Sequence, residues 1–301
     1  SRAGLPDGVF NLLMGQGTDT GAALVEHPNV AGVTFTGSSA VGRKIGASVF
    51  ARGGKMQLEM GGKNPLIVLD DADLESAVEF AINGAFFSAG QRCTASSRLI
   101  VTKDIHDSFV DAMSKRMELL RIGDARNPNT DIGPVVSEAQ LKKNLEYLRI
   151  GVDDGAKHLI GGHQVEQTTP GWYLSPALFI NAKSEMQICR EEIFGPIAAV
   201  ISVSDYDEAL SVANDSEFGL SAGIVSSDRR IIDHFIDNIQ AGMVQINLPT
   251  AGMDFHAPIT GRKNSSFGPP EKSSYCREFF TNTKVVHANY DKRLKSKKEG
   301  S

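Results

Sequence analysis

Cys93 is the side chain in this sequence best suited to covalent chemistry. It stands in the stretch GQRCTASSR (90–98), between Arg92 and a run of small hydroxyl residues. A thiolate is a strong nucleophile, and the adjoining arginine or a following helix N-terminus would lower its pKa. A free cysteine is more commonly a small apolar residue of the core. The local sequence leaves both interpretations open.

Glu59 is the second candidate, about thirty residues before the cysteine. It ends an apolar run in QLEMGGKNP (57–65), beside two glycines that permit the close approach of a ligand. Burying a carboxylate is costly, so such a position favours a functional role. A half-buried strand carboxylate paired with a lysine is the structural alternative, and it stays open.

Three further stretches could bind a phosphate or a sugar. VTFTGS (33–38) ends a strand pattern with Gly37 and Ser38 at a helix start, where free N–H groups attract phosphate, although Ser38 is equally suited to cap the helix. GQGTDTG (15–21) fits a dinucleotide fingerprint poorly and is also typical of a plain strand-to-helix turn. REEIFGPIAAV (190–200) carries adjacent acids before a Phe-Gly-Pro turn, and a solvated sheet edge is its alternative.

Composition excludes several classes of protein. The 301 residues are 41% hydrophobic and 22% charged, with a net charge of -5 and a pI near 5.8, as in ordinary globular proteins. Basic residues concentrate only in a tail at 292–301, so no nucleic-acid surface is indicated. The three cysteines lie far apart and without metal spacing, and no apolar run could span a bilayer. We therefore expect no metal, no membrane and a cytoplasmic location.

The elements that must position these residues alternate between strand and helix patterns. Segments that alternate in this way predict parallel α/β sheets with crossover helices. Predicted strands lie at 9–15, 30–37, 55–60, 65–70, 98–103, around 172–179, and at 198–204, 221–227 and 242–248. Predicted helices lie at 17–27, 38–51, 71–89, 105–120, 137–153, 205–214 and 229–240. A boundary is expected near 61–65, where Gly, Asn and Pro interrupt the pattern.

Taken together, these motifs resemble the NAD(P)-dependent aldehyde dehydrogenases from Ala3 to about Tyr290. The matching stretches are GLPDGVFN, FTGS, LEMGGKNP, GQRCTASSR, EEIFGP, the stretch beginning at Asn247, and EFFTNTK. The resemblance implies an α/β aldehyde dehydrogenase fold with a parallel-sheet catalytic domain, an incomplete Rossmann-like cofactor domain and a C-terminal oligomerisation strand. The domains expected are 1–60 for cofactor binding, 61–264 for catalysis, 265–290 for oligomerisation, and a tail at 291–301.

The resemblance assigns roles residue by residue. Cys93 matches the nucleophile that forms a thiohemiacetal and then a thioester, with its own N–H as one oxyanion donor, and Glu59 matches the base that activates water for hydrolysis. The cofactor, NAD or NADP, would contact residues from three segments. These are Gly37 and Ser38 at its phosphates, Glu192 and Gln140 at a ribose, and Phe194 beside the nicotinamide. Lys63 matches the lysine of the LEMGGK signature, without an assigned role.

The sequence also departs from the family pattern. No PWN segment occurs, and its Asn is the second oxyanion donor in relatives; the upstream lysine that binds the adenosine ribose is missing too. About half of the cofactor domain is therefore expected to be absent. At 256–274 the usual PFGG-type loop is replaced, with Ile259-Thr260 in place of Phe-Gly and with Pro270 and Lys272 as unusual residues.

Substrate and partners follow from the resemblance as hypotheses. NLPTAGMDFHAP (247–258) resembles the subgroup that oxidises 2-oxoglutarate semialdehyde (2,5-dioxopentanoate), and Arg92 would suit a distal carboxylate. EFFTNTKVV (278–286) resembles an intersubunit strand, so a homo-oligomer, dimer or tetramer, is expected. The alternative is a truncated, catalytically inactive fragment that retains only structural or oligomeric contacts. An acyltransferase that uses CoA is disfavoured because Glu59 offers a base for water.

Overall fold

The computed structural model describes residues 3–252 and 254–289, which form an α/β protein with two main sheets. The strands are β1 Gly32–Thr36, β2 Lys55–Glu59, β3 Asn64–Val68, β4 Ser96–Thr102, β5 Lys157–Ile160, β6 Ala177–Ile180, β7 Ile197–Val203, β8 Phe218–Gly219, β9 Ser221–Val225, β10 Met243–Ile246, β11 Arg262–Lys263 and β12 Ser266–Phe267. The helices are α1 Ala22–Glu26, α2 Ser39–Ala51, α3 Leu74–Phe86, α4 Lys103–Glu118, α5 Glu138–Asp153, α6 Gln187–Arg190, α7 Tyr206–Asn214, α8 Arg229–Asn238 and α9 Tyr275–Phe280. A π-helical turn covers Gly17–Gly21 and a 3₁₀ turn covers Phe87–Gly90.

The large sheet has seven strands in the order β10-β9-β3-β4-β7-β6-β5. Every pairing in it is parallel except that of β5 with β6. All positions of β3 and β9 are buried, as expected for parallel strands that helices cover on both faces. Apolar clusters lie on both faces of this sheet, so it carries the core of the protein.

Helix α3 shows why the sequence folds locally as it does. Its N-cap Asp73 accepts a hydrogen bond of 2.9 Å from the Ser76 N–H, which satisfies one of the free donors of the first turn. The side chains that it buries recur at helical spacing and face the large sheet; they are Ala77, Val78, Ala81, Ile82, Ala85 and Phe86. Burial of each large apolar side chain contributes about 1.5–3 kcal/mol to the stability of the fold. This apolar face therefore holds the helix against the sheet and sets the point from which the Cys93 loop begins.

The small sheet has three strands in the order β1-β2-β12. Strands β1 and β2 are parallel, and β12 returns antiparallel to β2 from more than 200 residues later in the chain. Helix α2 covers one face, with Ser38 as its N-cap. The chain passes from β2 in the small sheet to β3 in the large one through Met60–Lys63. This is the interruption that the Gly-Gly-Lys-Asn-Pro stretch predicted; the division into domains stays a prediction.

Most of the predicted elements are confirmed, and two strand predictions are wrong. Residues 9–15 form no strand, because the described part of the chain offers them no pairing partner and leaves Phe10 and Met14 exposed. Phe279 and Phe280 lie in helix α9 and residues 281–289 have no regular structure, where the closing strand was predicted. Phe279 is buried, and the Lys55 ammonium binds the backbone carbonyls of Phe279 and Thr281. Pairing of this segment with a second subunit stays a prediction.

The structure contains a short antiparallel edge strand, β5, that was not predicted from the sequence. The predicted tail at 291–301 lies outside the described residues. Within the ranges described, no helix has both the length and the apolar character needed to cross a membrane.

Candidate active site

Glu59 is the last residue of β2 and points into the junction between the two sheets. It is only 5% exposed, and strand register places it opposite Thr36 of β1 and Ser266 of β12. The Ser266 hydroxyl donates a hydrogen bond of 2.5 Å to Glu59 Oε2. The Gly37 N–H donates to the Glu59 backbone carbonyl at 3.0 Å. Strand β12 therefore holds the carboxyl group, and the end of β1 holds the backbone of the same residue.

Burial raises the pKa of Glu59 to about 7. The hydrogen bond from Ser266 opposes this shift, and the negative charge of Glu271 adds slightly to it. Desolvation disfavours the charged form of a carboxyl group, which is the direction seen here. A base with a pKa near neutrality is well matched to proton transfer at physiological pH. No lysine contributes to this shift, so the simple strand ion pair does not describe Glu59.

Cys93 lies in the short loop between the turn Phe87–Gly90 and strand β4. Ser88 and Ala89 adopt left-handed backbone conformations with φ of 57° and 54°. Such conformations are uncommon for residues with a Cβ and cluster at functional sites. The turn brings the chain sharply from helix α3 to the start of β4, the central strand of the large sheet, and the thiol in the loop between them is free and half-buried.

The charges around Cys93 favour its neutral form. Burial raises the pKa of the thiol, and the carboxylates of Glu192 and Glu59 raise it further. The backbone N–H groups of Cys93 and Thr94 act in the opposite direction. The stretch that follows Glu59 contacts the same loop, since Asn64 Nδ2 donates to the Cys93 carbonyl at 2.8 Å. The fold therefore brings together the segments that carry the two predicted catalytic side chains.

The prediction that Arg92 lowers the pKa of the thiol is wrong. Its guanidinium group turns back to the end of helix α3, where it binds the backbone carbonyl and the side-chain oxygen of Asn83. Strand β4, not a helix, follows the loop, so no helix N-terminus serves the sulfur. The groups that lower the pKa of the thiol are instead the backbone N–H groups of Cys93 and Thr94.

Glu192 reaches the site from the loop after α6. Its Oε1 accepts the Gly62 N–H at 3.1 Å, and Lys143 Nζ donates to its backbone carbonyl at 3.1 Å. Burial raises the pKa of Glu192, whereas the Gly62 N–H, Lys143 and Lys63 lower it. A Cβ on Gly62 would lie 2.7 Å from the carbonyl oxygen of Cys93, so a side chain there would displace the Cys93 loop. Because Gly61 and Gly62 have no side chains, the chain after β2 can approach both Glu192 and the Cys93 loop closely.

Gln140 and Phe194 form one structural unit. Phe194 has a left-handed φ of 59°. Gln140 Nε2 donates to the carbonyls of Ile193 and Phe194 at 3.0 and 2.9 Å and to Asn144 Oδ1 at 2.8 Å. Its amide nitrogen therefore holds the Phe194 turn, and a contact between Gln140 and a ribose stays a prediction.

Gly37 and Ser38 lie at the exposed N-terminus of helix α2. Ser38 Oγ accepts the Val41 N–H at 3.4 Å, so the capping interpretation is confirmed. A phosphate at the same helix end is compatible with this cap and stays a prediction. The Gly37 hydrogen bond to Glu59 connects this end of the small sheet to the junction.

Sequence reasoning missed several side chains that organise the site. They are Ser266 beside Glu59, Lys143 beside Glu192, and Asn64 and Thr250 behind the Cys93 loop. Asn64, Thr250 and Ser266 stand within stretches that the sequence singles out, but only the folded chain shows what they contact.

Lys63 is buried between the site and the large sheet. It is 2% exposed, its ammonium has no hydrogen-bond partner among the described residues, and burial lowers its pKa to about 8. Arg98, 1% exposed, donates to the Lys63 carbonyl at 3.0 Å. In the described ranges no group of three or more His, Cys, Asp or Glu side chains could hold a metal ion.

Comparison with known sequences identifies relatives of this arrangement. Residues 1–286 match the model of the aldehyde dehydrogenase family. The alpha-ketoglutaric semialdehyde dehydrogenase of Bacillus subtilis (strain 168) is 48% identical over 286 residues, which is 94% of this chain and 59% of the relative. The 2,5-dioxopentanoate dehydrogenase of Saccharolobus solfataricus is 40% identical over 293 residues, 96% of this chain and 61% of the relative.

Solved structures share the fold. The crystal structure of an NAD-dependent aldehyde dehydrogenase from Sinorhizobium meliloti superimposes with a TM-score of 0.91 at 38% identity. The match covers 95% of this chain and 56% of that one. The chain thus spans about three fifths of the length of the curated relatives that it matches.

Proposed function

The chain belongs to the aldehyde dehydrogenase family, and from that premise we propose that it oxidises an aldehyde to a carboxylic acid with NAD or NADP as the acceptor. The observation that supports the proposal is that Glu59 ends β2 and that Asn64, five residues later, donates to the Cys93 carbonyl at 2.8 Å, so both segments lie at the junction of the two sheets. A cysteine nucleophile beside a base of near-neutral pKa is the arrangement that acyl-enzyme chemistry requires.

The chemistry divides between the two side chains. The Cys93 thiol loses its proton to solvent, and the resulting thiolate adds to the aldehyde carbonyl carbon to give a thiohemiacetal, whose oxyanion the Cys93 N–H stabilises. When bound, NAD(P)⁺ supplies the hydride acceptor that turns this adduct into a thioester. Water then attacks the thioester, Glu59 takes its proton, and the sulfur leaves as the acid is released. The pKa of about 7 keeps a large fraction of Glu59 ionised at neutral pH.

The cofactor fits the polar groups that the site presents. Glu192 offers a half-buried carboxylate anchored at one oxygen by the Gly62 N–H, which suits ribose hydroxyls. Gly37 and Ser38 expose the N-terminus of the 13-residue helix α2, which suits phosphate. Phe194, next to Glu192 in one cavity, would lie beside the nicotinamide.

The substrate that we propose is a semialdehyde with a distal carboxylate, such as 2-oxoglutarate semialdehyde. Support comes from the two relatives named for that activity, at 48% and 40% identity. Arg92 lines the same cavity as Glu192 and Phe194, although its guanidinium group is engaged with Asn83. The loops around 247–258 are the other candidates for this recognition.

An assay of NAD(P)H formation tests the proposal. The chain should reduce NAD(P)⁺ with the semialdehyde, and kcat/KM should exceed that for propanal. Cys93→Ala should abolish the reaction, whereas the matched change Cys276→Ala, at a second free cysteine outside the site, should leave it intact. Glu59→Gln should slow turnover by about 10²- to 10⁴-fold and accumulate an acyl group on Cys93.

The outcomes separate this function from its alternative. No NAD(P)H with any aldehyde, together with no aldehyde-dependent mass increase on Cys93, would leave a chain with structural contacts only. Equal kcat/KM for the semialdehyde and propanal would retain the reaction and remove the proposed substrate class.

A further inference from the structure

Three consecutive backbone carbonyls of the nucleophile loop are held by side chains from distant segments. Asn64 Nδ2 donates to the carbonyl oxygens of Cys93 and Ala95, at 2.8 and 2.9 Å. Thr250 Oγ1 donates to the carbonyl oxygen of Thr94 at 2.6 Å. Asn64 is 2% exposed and Thr250 is fully buried, so both act where water cannot replace them.

The two side chains are themselves fixed. The Ser221 N–H donates to Asn64 Oδ1 at 3.0 Å, so the amide orientation is determined: its nitrogen faces two carbonyls and its oxygen faces an N–H. Thr250 gives its single hydroxyl proton to Thr94, and Ser96 Oγ, 2.6 Å away, therefore donates to Thr250 Oγ1. Neither side chain can rotate without leaving a buried polar group unpaired, which is costly.

Peptide planarity carries this restraint to the sulfur. The N–H of a residue points opposite to the carbonyl of the residue before it, because both belong to one planar unit. Holding the Cys93 carbonyl toward Asn64 therefore directs the Thr94 N–H away from Asn64. That N–H is one of the two backbone groups that act favourably on the thiolate of Cys93. The other, the Cys93 N–H, is set by the turn in which the Ala95 N–H binds the Arg92 carbonyl at 3.0 Å.

We propose that Asn64 is a positioning residue for the nucleophile: its amide holds the Cys93 carbonyl and so aims the Thr94 N–H at the Cys93 sulfur. Thr250 supports the same loop one residue later. The inference rests on the proposed function, since it concerns the sulfur that attacks the aldehyde.

The chemistry of the position explains why an amide is needed. Two carbonyl oxygens and one N–H converge on Asn64, which requires two donors on one atom and an acceptor on another. A serine offers one donor and a carboxylate offers none. Among the side chains of this size, only asparagine satisfies all three groups.

The pH dependence of Cys93 alkylation tests the assignment without any turnover. The whole chain is treated with iodoacetamide across a pH series, and modification of each cysteine is measured by peptide mass spectrometry. Cys189, 1% exposed, reports unfolding in the same sample because it reacts only when the core opens. Cys276, half-buried and remote in α9, gives the reference rate for an ordinary thiol.

Asn64→Ser should raise the pH midpoint of Cys93 alkylation and lower its rate at neutral pH by about 3- to 10-fold, the effect of one weakened hydrogen bond. The two rates should converge at high pH, where the thiol is ionised in both proteins. Thr250→Val should have a smaller effect in the same direction, and Thr250→Ser should restore the midpoint. Thr102→Val, at the far end of β4, removes a comparable buried hydroxyl and should leave the midpoint unchanged.

An unchanged midpoint in Asn64→Ser, with Cys189 still protected, would overturn the inference, as would an equal shift in Thr102→Val. The outcomes also separate it from the proposed function. A protein that oxidises aldehydes but shows no shift in Asn64→Ser retains the function and loses the positioning role. A protein with the shift but without aldehyde oxidation retains the role and loses the function.

Discussion

The large and small sheets meet at the candidate site but differ in how completely they are packed. All positions of β3 and β9 in the large sheet are buried. In the small sheet, β1 has no buried position, and helix α2 beside it buries only Gly42 and Val49. The nucleophile loop rests on the first region, and Glu59, Gly37 and Ser38 belong to the second.

The two sheets hold the two candidate catalytic residues in different ways. Buried hydrogen bonds fix Cys93 from the large-sheet side, through Asn64 and Thr250. Among the strands of the small sheet only the end of β2 reaches comparable burial, and there the pKa of Glu59 rises to about 7. Ser38, at the helix end where we propose phosphate binding, is exposed. Within the small sheet, burial thus raises a carboxyl pKa at the junction and not at the exposed end of α2.

The largest difference in stability between the two regions is expected when a substitution removes an aromatic ring from each of them. Phe179→Ala in β6 removes a fully buried ring from the large-sheet core and should lower the free energy of unfolding by about 3–5 kcal/mol. Phe50→Ala in α2 removes a ring that is 78% exposed and should change it by less than about 0.5 kcal/mol. Urea unfolding of the two variants measures both values. Equal losses would show that the small sheet is as tightly packed as the large one.

The next largest difference in stability is expected between substitutions of Gly90 and Gly53. Gly90 precedes the Cys93 loop and Gly53 precedes β2, and both have a left-handed φ, of 64° and 68°. An alanine Cβ at Gly90 would lie 2.1 Å from the Gly195 carbonyl oxygen, whereas nothing lies within 4 Å of one at Gly53. Gly53→Ala should cost about 1 kcal/mol from backbone strain alone. Gly90→Ala should cost about 2–4 kcal/mol, because the clash with backbone adds to that strain.

Thermal unfolding, together with the rate of Cys93 alkylation, measures this second contrast. Gly53→Ala serves as the control for the left-handed conformation and should leave the alkylation rate unchanged. Similar stability in both variants would mean that the contact between the Gly90 turn and Gly195 does not constrain the loop.

The sequence predicted the central strands because their apolar, β-branched runs are bounded by turn residues. It failed at 9–15, where an equally apolar run has no pairing partner in the described chain, and at Phe279, whose local β propensity yields to helix α9. The proposed catalytic pair, Cys93 and Glu59, was predicted through family motifs. The roles of Ser266 and Thr250 were not predicted, because no local pattern encodes contacts between distant residues. Ser266 is 207 residues from its partner Glu59, and Thr250 is 156 residues from its partner Thr94.

Glu59 makes the stability of the protein depend on pH. Its pKa is about 7 in the folded chain and near 4.5 when unfolded, so the folded state binds more protons between these values. Stability should therefore fall as pH rises from about 4.5 to 7. Glu59→Gln should remove this component and be more stable than the parent chain at pH 8, by on the order of 1–3 kcal/mol.

Urea unfolding at pH 5 and pH 8 measures the effect. The matched change Glu79→Gln, at an exposed carboxylate of α3 paired with Arg116, should leave the difference between the two pH values intact. An unaltered pH difference in Glu59→Gln would show that the carboxyl group is solvated in solution and that the junction does not exclude water.

The smallest effect concerns two helix caps, one in each region. Ser38 caps α2 and Ser137 caps α5, with N–H to Oγ distances of 3.4 and 3.2 Å. Either serine changed to alanine should cost about 1 kcal/mol in thermal or urea unfolding, since each removes one capping hydrogen bond. If the α2 terminus also receives the cofactor phosphate, Ser38→Ala should in addition weaken NAD binding measured by calorimetry, while Asp205→Ala, which removes the cap of α7 away from the predicted cofactor residues, leaves it unchanged. An NAD affinity in Ser38→Ala equal to that of the parent chain would reduce Ser38 to a cap and place the phosphate elsewhere.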